Sequence, residues 1–338
     1  MKTLELYKTG DAHKAFRIAE KDIPRPEAHE VLIKVHYSGI NFADILARRG
    51  LYPDAPANPS VIGYDVMGTI EEVGSDVTEV QAGDKVTALT RFGGYAEYVC
   101  TMADGVAKIP DSIDEAESTA YATQACTALF CAEYKTRLRK DYNVLIHAAA
   151  GGVGSILVQL AKHHGCTIYG TASQSKLAYL EELGVHHPID YRNKSFYEET
   201  IKIAGVRKIH AAFDSIGGNV FKQSMKLLAP CGDMITYGAA SQLSGSNKIR
   251  ALTAALGFGF FSPIQLLMGS RSIIAVNMLR VADNQPGLFK EVLDEVINYA
   301  EKGIIKAKVS KIFAAEDIAD AHAFVESRKS IGKVVLKW

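Results

Sequence analysis

The segment 144–155, VLIHAAAGGVGS, constrains the fold more than any other part of the sequence. It opens with a short apolar run of the kind that forms a buried parallel strand. Small residues then stand at Ala149, Gly151 and Gly154, the spacing of a turn in which the backbone approaches a pyrophosphate and a helix packs closely on the strand. A helix predicted at 153–164 would direct its first N–H groups at the phosphates. The pattern predicts a dinucleotide-binding unit, and an ordinary glycine-rich strand-to-helix turn is the alternative.

A second predicted strand, TIYGTAS at 167–173, lies about 20 residues after the glycine turn, where a residue that reads the adenosine ribose belongs. A preference for NAD would call for Asp or Glu at this place. This chain has Ser173 and Lys176, and no carboxylate before Glu181. A hydroxyl and an ammonium group suit a 2′-phosphate, which a carboxylate would repel. We therefore predict NADPH rather than NADH, with a solvated lysine on the next helix as the alternative for Lys176.

Length and composition set the class of protein. A chain of 338 residues exceeds a typical single core and predicts two domains. The formal net charge is zero, which gives no electrostatic reason to expect nucleic acid or an anionic membrane as a partner. Five cysteines without CxxC spacing argue against a disulfide framework, and the first residues show no apolar signal core. A cytoplasmic location is expected.

The pattern of predicted secondary structure changes at about residue 123. Residues 1–122 contain short apolar stretches separated by glycine turns, which predicts a β-rich domain. Alternating strands and helices follow, which predicts a doubly wound parallel sheet, and therefore an α/β protein. The last strand, predicted at 331–336, is expected to return to the first domain. The predicted strands of the parallel sheet are 144–147, 167–170, 187–190, 211–214 and 234–237.

Residues 251–268 form an uncharged stretch of 18 residues, at the edge of the length that spans a bilayer. Glycine, serine and proline interrupt it, so a membrane-spanning helix is not expected. A buried helix within or between subunits and a lid over an apolar substrate pocket both remain open. Membrane association is left open by this stretch but is not expected.

Longer motifs carry a resemblance over essentially the whole chain. They are SGINFADILARRGLYP at 38–53, PSVIGYDVMGTI at 59–70, AGDKV at 82–86, GGYAEYV at 93–99, HAAAGGVG at 147–154, GTASQSK at 170–176, HPIDY at 187–191, TYGAAS at 236–241 and IGKVVL at 331–336. The chain resembles the medium-chain dehydrogenase/reductase superfamily, and within it the zinc-independent quinone oxidoreductases of the VAT-1-like group. The resemblance implies a GroES-like catalytic domain at 1–122 and 304–338, a Rossmann NADPH-binding domain at 123–303, and a homodimer.

The chain departs from the zinc-dependent members of that superfamily at the ligand positions. Asn41 stands where they have a cysteine, and Tyr64 and Asp65 stand where they have a histidine and a glutamate. The four-cysteine lobe for structural zinc is absent as well. Catalytic zinc favours thiolate and imidazole ligands in an open tetrahedral site, a set that Asn41, Tyr64 and Asp65 cannot reproduce, so we expect no metal. The hydride acceptor must then already be electrophilic, as a quinone or an α,β-unsaturated carbonyl is.

The resemblance places residues 41–52 beside the reacting groups. Asn41 is expected to donate to a developing oxyanion or orient the cofactor, and Asp44 to orient Asn41 or cap the nearby helix. Tyr52 and Tyr64 are candidate donors to a substrate oxygen and could stack on a planar quinone. The alternatives are purely structural: a helix cap for Asn41, core packing for Tyr64 and a turn role for Tyr52 before Pro53. No dedicated general acid is evident.

The resemblance also implies a set of contacts with the cofactor. Besides Ser173 and Lys176, they are Thr127, Ala150, Gly151, Gly152, Val153, Gly154, Tyr191, Gly238, Ala239, Asn277 and Lys333.

The leading functional hypothesis is an NADPH-dependent quinone or enone reductase. A VAT-1-like protein that binds lipid or partners and keeps its nucleotide with little turnover is the rival, and a structural use without turnover is a third reading. The apolar run at 272–276 could pair across a two-fold axis as an edge strand, or be an ordinary protected edge.

Overall fold

The computed structural model describes residues 1–240 and 257–338. They form two compact units, one made of residues 1–126 and 278–338 and the other of residues 127–277. The predicted α/β class is confirmed, since one unit is β-rich and the other is a doubly wound parallel sheet. Of the uncharged stretch 251–268, residues 251–256 lie outside the described residues.

The second unit is built on a parallel sheet. Its described strands follow the order β11-β10-β9-β12-β13-β14, and every neighbouring pair is parallel. The order reverses between β9 and β12, which is the switch point at which such sheets bind nucleotides. All five predicted strands are present. The six strands are β9 (Asn143–Ile146), β10 (Thr167–Ala172), β11 (His187–Asp190), β12 (Ile209–Asp214), β13 (Leu228–Thr236) and β14 (Ser272–Ala275).

Helices connect these strands because apolar residues recur on one face of each connection. The helix after the glycine turn, Gly152–His163, buries Ile156, Leu157 and Leu160. The core on one side of the sheet joins strand residues with Phe196 and Phe221 from two other helices. The other helices in the described part of this unit are Leu177–Leu183, Phe196–Ala204, Asn219–Leu227 and Pro263–Gly269.

The first unit contains a larger, mostly antiparallel sheet and a smaller one. Valine and isoleucine side chains from its strands form a buried cluster. The last strand, β16, pairs with β3, so the C-terminal strand returns to the first unit as predicted. In the described residues the larger sheet runs β15-β16-β3-β5-β6-β8 with β7 on β3, and the smaller runs β2-β1-β4. The strands are β1 (Lys2–Leu6), β2 (Phe16–Glu20), β3 (Glu30–Ile40), β4 (Ser60–Val61), β5 (Asp65–Val73), β6 (Lys85–Leu89), β7 (Tyr98–Met102), β8 (Val106–Lys108), β15 (Val309–Ala314) and β16 (Lys333–Lys337).

The helix Pro286–Glu301 belongs to the first compact unit, whereas the domain division expected from sequence puts it in the nucleotide-binding domain. That division ends the nucleotide domain at residue 303, whereas the compact units separate at residues 277 and 278. The helix contacts β8, and its apolar residues, including Phe289 and Leu293, are buried. The other helices of the first unit are Phe42–Arg48, Glu115–Ser118, Met278–Asn284 and Ile318–Glu326, and the chain passes to the second unit through helical turns at Tyr121–Ala125, Cys126–Leu129 and Phe130–Lys135.

The described part of the uncharged stretch contains one short helix, Pro263–Gly269, which begins at a Ser262 cap. Within the residues that the structure describes, no helix has both the length and the apolar character needed to cross a bilayer.

Candidate functional site

The glycine turn of the second unit follows β9 directly. Gly154 is required by packing, because a Cβ there would lie 2.3 Å from the carbonyl oxygen of Ala148 and 2.8 Å from Cα of Ala149. Ala149 donates its N–H to the carbonyl of Thr171 on the next strand. Gly151 is the N-cap of the helix Gly152–His163 and provides no side-chain cap. The first N–H groups of a twelve-residue helix are thus not capped by that side chain, which fits a bound phosphate.

Most of the predicted cofactor residues of this unit follow strand ends at one edge of the sheet. Ala150, Gly151, Gly152, Val153 and Gly154 follow β9, and Ser173 and Lys176 follow β10. Tyr191 comes after β11, Gly238 and Ala239 after β13, and Asn277 after β14. The carboxyl ends of parallel strands share an edge, so the fold brings these residues to the same side. Thr127, which is buried at the start of the unit, does not follow a strand.

Two cations stand close together beyond β10 and β11. Burial, and to a lesser degree the charge of Arg192, lowers the pKa of Lys176. These strands pair in register up to Ala172 and Asp190, which brings Lys176 and Arg192 to neighbouring strand ends. Ser173 lies on the same side, with its hydroxyl 3.4 Å from that of Ser175. Two positive charges beside a hydroxyl group favour the binding of an anion.

Sequence reasoning missed Arg192 and Asp214. Arg192 was detectable as the cation after Tyr191 at the end of the strand beside β10. Asp214 ends β12 and is fully buried, and its carboxylate accepts the N–H groups of Ile216 at 2.7 Å and Gly217 at 3.0 Å. Burial raises its pKa to about 6, although these backbone donors act in the opposite direction. Its place at the switch point, followed by Ser-Ile-Gly-Gly, was the available signal.

In the first unit, Asn41 belongs to a buried network with Asp65 and Lys333. The ammonium group of Lys333 donates to Oδ2 of Asp65 at 2.7 Å and to Oδ1 of Asn41 at 2.8 Å. The amide nitrogen of Asn41 lies 3.0 Å from both carboxylate oxygens of Asp65. Gln124 adds a bond to Oδ1 of Asn41 at 3.3 Å. The amide of Asn41, expected to serve an oxyanion or the cofactor, is thus engaged with neighbouring side chains, and so is Lys333, expected to contact the cofactor.

Local structure explains how these residues meet. Asn41 follows β3 and is the N-cap residue of the helix Phe42–Arg48. Asp65 begins β5 and Lys333 begins β16, and both strands pair with β3. Gly39 on β3 makes room, because a Cβ there would lie 2.3 Å from Cε of Lys333 and 2.4 Å from Oδ1 of Asp65.

The other catalytic candidates are Tyr64, Tyr52 and Asp44. Tyr64 is 4% exposed and its hydroxyl has no hydrogen-bond partner among the described residues, while its ring meets Phe92 at 5.0 Å and Tyr52 edge-on at 6.1 Å. Tyr52 is only half-buried. Burial raises the pKa of both phenols above the usual range. Asp44 is fully buried and accepts the backbone N–H of Asn41 at 2.8 Å, so it does cap the helix start.

Two protein families match the chain. Residues 27–111 match the alcohol dehydrogenase GroES-like domain, and residues 183–336 match the zinc-binding dehydrogenase family. The β-rich unit therefore contains a GroES-like domain, as expected from sequence.

The residues at the catalytic zinc position do not fit a metal. Asn41 offers an amide and Tyr64 a phenol, where zinc favours thiolate and imidazole. The carboxylate of Asp65 is bonded to the ammonium group of Lys333. A cation of the protein itself thus lies against the one anionic group of that set. Among residues 1–240 and 257–338, no group of three or more His, Cys, Asp or Glu side chains stands where it could hold a metal ion.

Relatives are similar over nearly the whole chain. A synaptic vesicle membrane protein VAT-1 homolog from Danio rerio is 34% identical over 94% of this chain and 66% of its own length. The Rattus norvegicus homolog is 33% identical over 93% and 78%. A solved structure, the Escherichia coli quinone oxidoreductase complexed with NADPH, is 26% identical with a TM-score of 0.87, covering 100% of both chains. The chain belongs to the quinone oxidoreductase family of the medium-chain dehydrogenase/reductase superfamily, in its VAT-1-like group.

Proposed function

We propose that this protein is an NADPH-dependent oxidoreductase that reduces a quinone or an α,β-unsaturated carbonyl compound. The observation that carries the proposal is the buried network of Asn41, Asp65 and Lys333. It provides fixed polar groups and one ammonium ion where other members of the superfamily hold zinc. With no metal to polarise an alcohol, the acceptor needs its own electrophilic carbon, and quinones and enones have one.

The second unit is proposed to bind the nucleotide. The uncapped helix start at Gly151 suits a pyrophosphate, and Lys176, Arg192 and Ser173 suit a 2′-phosphate. The related quinone oxidoreductase that was solved with NADPH supports the same choice. When bound, the reduced nicotinamide supplies the hydride.

The first unit is proposed to handle the acceptor. Tyr52 is half-buried and can donate to a carbonyl oxygen, and its ring with that of Tyr64 forms an aromatic surface for a planar compound. Asn41 is held in place by its hydrogen bonds to Lys333 and Asp65. Its proposed role is to keep these polar groups in a fixed arrangement.

A parallel screen of quinones and enones with NADPH and NADH tests the proposal. We expect turnover with NADPH, and loss of turnover in Gly152→Val because a side chain would obstruct the pyrophosphate. Ser173→Asp combined with Lys176→Ala should shift the preference towards NADH. Absence of turnover with every acceptor, or an unchanged nucleotide preference in the double variant, would contradict it.

A second candidate function, lipid or partner binding with little turnover, is favoured by one surface. Phe260, Ile264, Leu267 and Met268 are 89%, 70%, 76% and 83% exposed. An exposed apolar group of this size is typical of an interaction site. If binding is the main role, liposome flotation should succeed in the wild type and fail when Phe260, Leu267 and Met268 are replaced by serine. Val206→Ser, at another exposed apolar residue of the same unit, is the matched control.

A further inference from the structure

Among the buried oxygen atoms of the first unit that lack a hydrogen-bond partner in the described residues, three are close neighbours. They are Oδ1 of Asp44 and the hydroxyl oxygens of Tyr64 and Tyr95. Asp44 and Tyr95 are fully excluded from solvent and Tyr64 nearly so. Unpaired polar atoms are costly in a protein interior, and three in one place call for an explanation.

The three groups are close neighbours. The hydroxyl of Tyr95 lies beside the carboxyl group of Asp44, and the charge of an ionised Asp44 raises the pKa of both Tyr95 and Tyr64. Gly63 permits this arrangement, because a Cβ there would lie 2.6 Å from the ring of Tyr95. Each oxygen can both donate and accept if Asp44 carries a proton, so a small rotation or one bridging water would connect them.

A count of charges also places a proton on Asp44. Lys333 pairs with Asp65 at 2.7 Å, and both are fully buried. A second buried carboxylate at Asp44 would share the charge of Lys333 with Asp65, and one of the two negative charges would stay uncompensated. An uncompensated buried charge is removed most cheaply by protonation.

The electrostatics of the neighbouring groups agree with this count. Burial raises the pKa of Asp44 to about 7, the charge of Asp65 acts in the same direction, and the N–H of Asn41, the charge of Lys333 and the hydroxyl of Tyr95 act against it.

A path leads from these groups towards the surface. The ring of Tyr64 meets that of Tyr52 edge-on at 6.1 Å, and each of the two phenols affects the pKa of the other. Tyr52 is half-buried and lies near Asp54, which is ion-paired with Arg280.

We propose that Asp44 is protonated at neutral pH and forms, with Tyr95 and Tyr64, an internal proton store that supplies Tyr52. The role of that proton rests on the proposed reductase function. When bound, a reduced nicotinamide nucleotide would supply a hydride, which is a proton with two electrons, and the acceptor that takes it up becomes an enolate or hydroquinone anion. The anion takes the proton of the Tyr52 hydroxyl, Tyr52 is reprotonated through Tyr64 from Asp44, and Asp44 regains a proton from solvent after product leaves.

Infrared spectroscopy of the protein without nucleotide or acceptor tests the store directly. With carboxyl-labelled aspartate, we expect a protonated carboxyl band at neutral pH that disappears in Asp44→Asn. Tyr95→Phe should shift the band to higher frequency, because the carboxyl loses its neighbouring hydroxyl. Tyr121→Phe, at another buried tyrosine, should leave the band in place. A wild-type protein without this band overturns the proposal, whether or not it reduces any acceptor.

Turnover tests the path to Tyr52. We expect kcat of the wild type to fall as pH rises through about 7, since the acid form of Asp44 is required. Asp44→Asn should lower kcat by about tenfold to hundredfold, leave KM unchanged and abolish this pH dependence. Asp54→Asn, at a carboxylate near Tyr52 that is paired with Arg280, should keep it. An unchanged pH profile in Asp44→Asn overturns the path, whereas absence of turnover in the wild type contradicts only the reductase function and leaves the infrared test decisive.

Discussion

The ammonium group of Lys333 lies 2.7 Å from the carboxylate of Asp65, and both side chains are completely buried although 268 positions separate them in the chain. The pair joins the last strand to β5, on either side of β3. Asn41 bonds to both partners, so the pair fixes the start of the helix Phe42–Arg48, which includes Asp44.

Breaking this ion pair from one side should be costly. Lys333→Met leaves the carboxylate of Asp65 buried without its cation, and we expect a loss of about 3–5 kcal/mol in the free energy of unfolding. Asp65→Leu combined with Lys333→Met should recover part of that loss, because no lone charge remains buried. Urea denaturation of the two variants measures both effects. A loss below about 1 kcal/mol in Lys333→Met would show that Asp65 finds another partner.

Gly39 should tolerate no side chain, because the added Cβ would overlap Lys333 and Asp65. We expect Gly39→Ala to lower the free energy of unfolding by about 1–3 kcal/mol. Gly287→Ala is the matched control, since Gly287 lies in a helix with open space around its Cα and gains helix propensity. Equal stabilities of the two variants in urea would rule out the overlap.

Sequence patterns predicted the parallel sheet because each strand is a short apolar run that ends in small residues. The local pattern also located the glycine turn, where Gly154 packs against Ala148. The contact between Lys333 and Asp65 was not predictable in this way, because it depends on the pairing of distant strands rather than on spacing. The role of the helix Pro286–Glu301 was missed for a similar reason, since an amphipathic pattern shows which face is buried but not which unit covers it.

Nucleotide choice should depend on Arg192 as well as Lys176. Removal of one charge-assisted bond to a phosphate costs about 1.5–3 kcal/mol, so Arg192→Ala should weaken NADPH binding by roughly tenfold to hundredfold. The affinity for NADH, which has no 2′-phosphate, should not change. Lys194→Ala is the control, because Lys194 lies nearby but pairs with Glu199. Calorimetric titration of the variants with NADPH and with NADH measures both affinities. An equal loss of affinity for the two nucleotides in Arg192→Ala would count against a contact with the 2′-phosphate.

We expect a homodimer that forms through β14. In the described residues this strand pairs with β13 on one side and ends the sheet on the other, and open edges favour pairing with a second copy. Ser272→Lys with Ala275→Lys places charges on two exposed positions of this strand and should yield monomers in sedimentation experiments. The control variant Ile312→Lys, whose substitution lies on the edge strand β15 of the larger sheet in the first unit, should remain dimeric. A monomeric wild type at micromolar concentration would refute this assembly.

His147, directly before the glycine turn, should make the fold sensitive to acid. Its Nε2 lies 2.8 Å from the hydroxyl of Ser224, which donates its own proton to the carbonyl of Val220. Nε2 must therefore donate, and Nδ1 accepts from Thr171 at 3.2 Å. The neutral ring satisfies both partners, and burial disfavours the charged ring.

The sign of the pH effect follows from the direction of the pKa shift. Burial lowers the pKa of His147 to about 3, so the unfolded chain binds this proton first as pH falls. Its contribution to stability is present above about pH 6.5 and is lost between that value and about pH 3, at up to about 1.4 kcal/mol per pH unit. Urea denaturation at several pH values should show a shallower slope for His147→Gln than for the wild type. His29→Gln, at an exposed histidine, should keep the wild-type slope, and an unchanged slope in His147→Gln would mean that other groups govern acid unfolding.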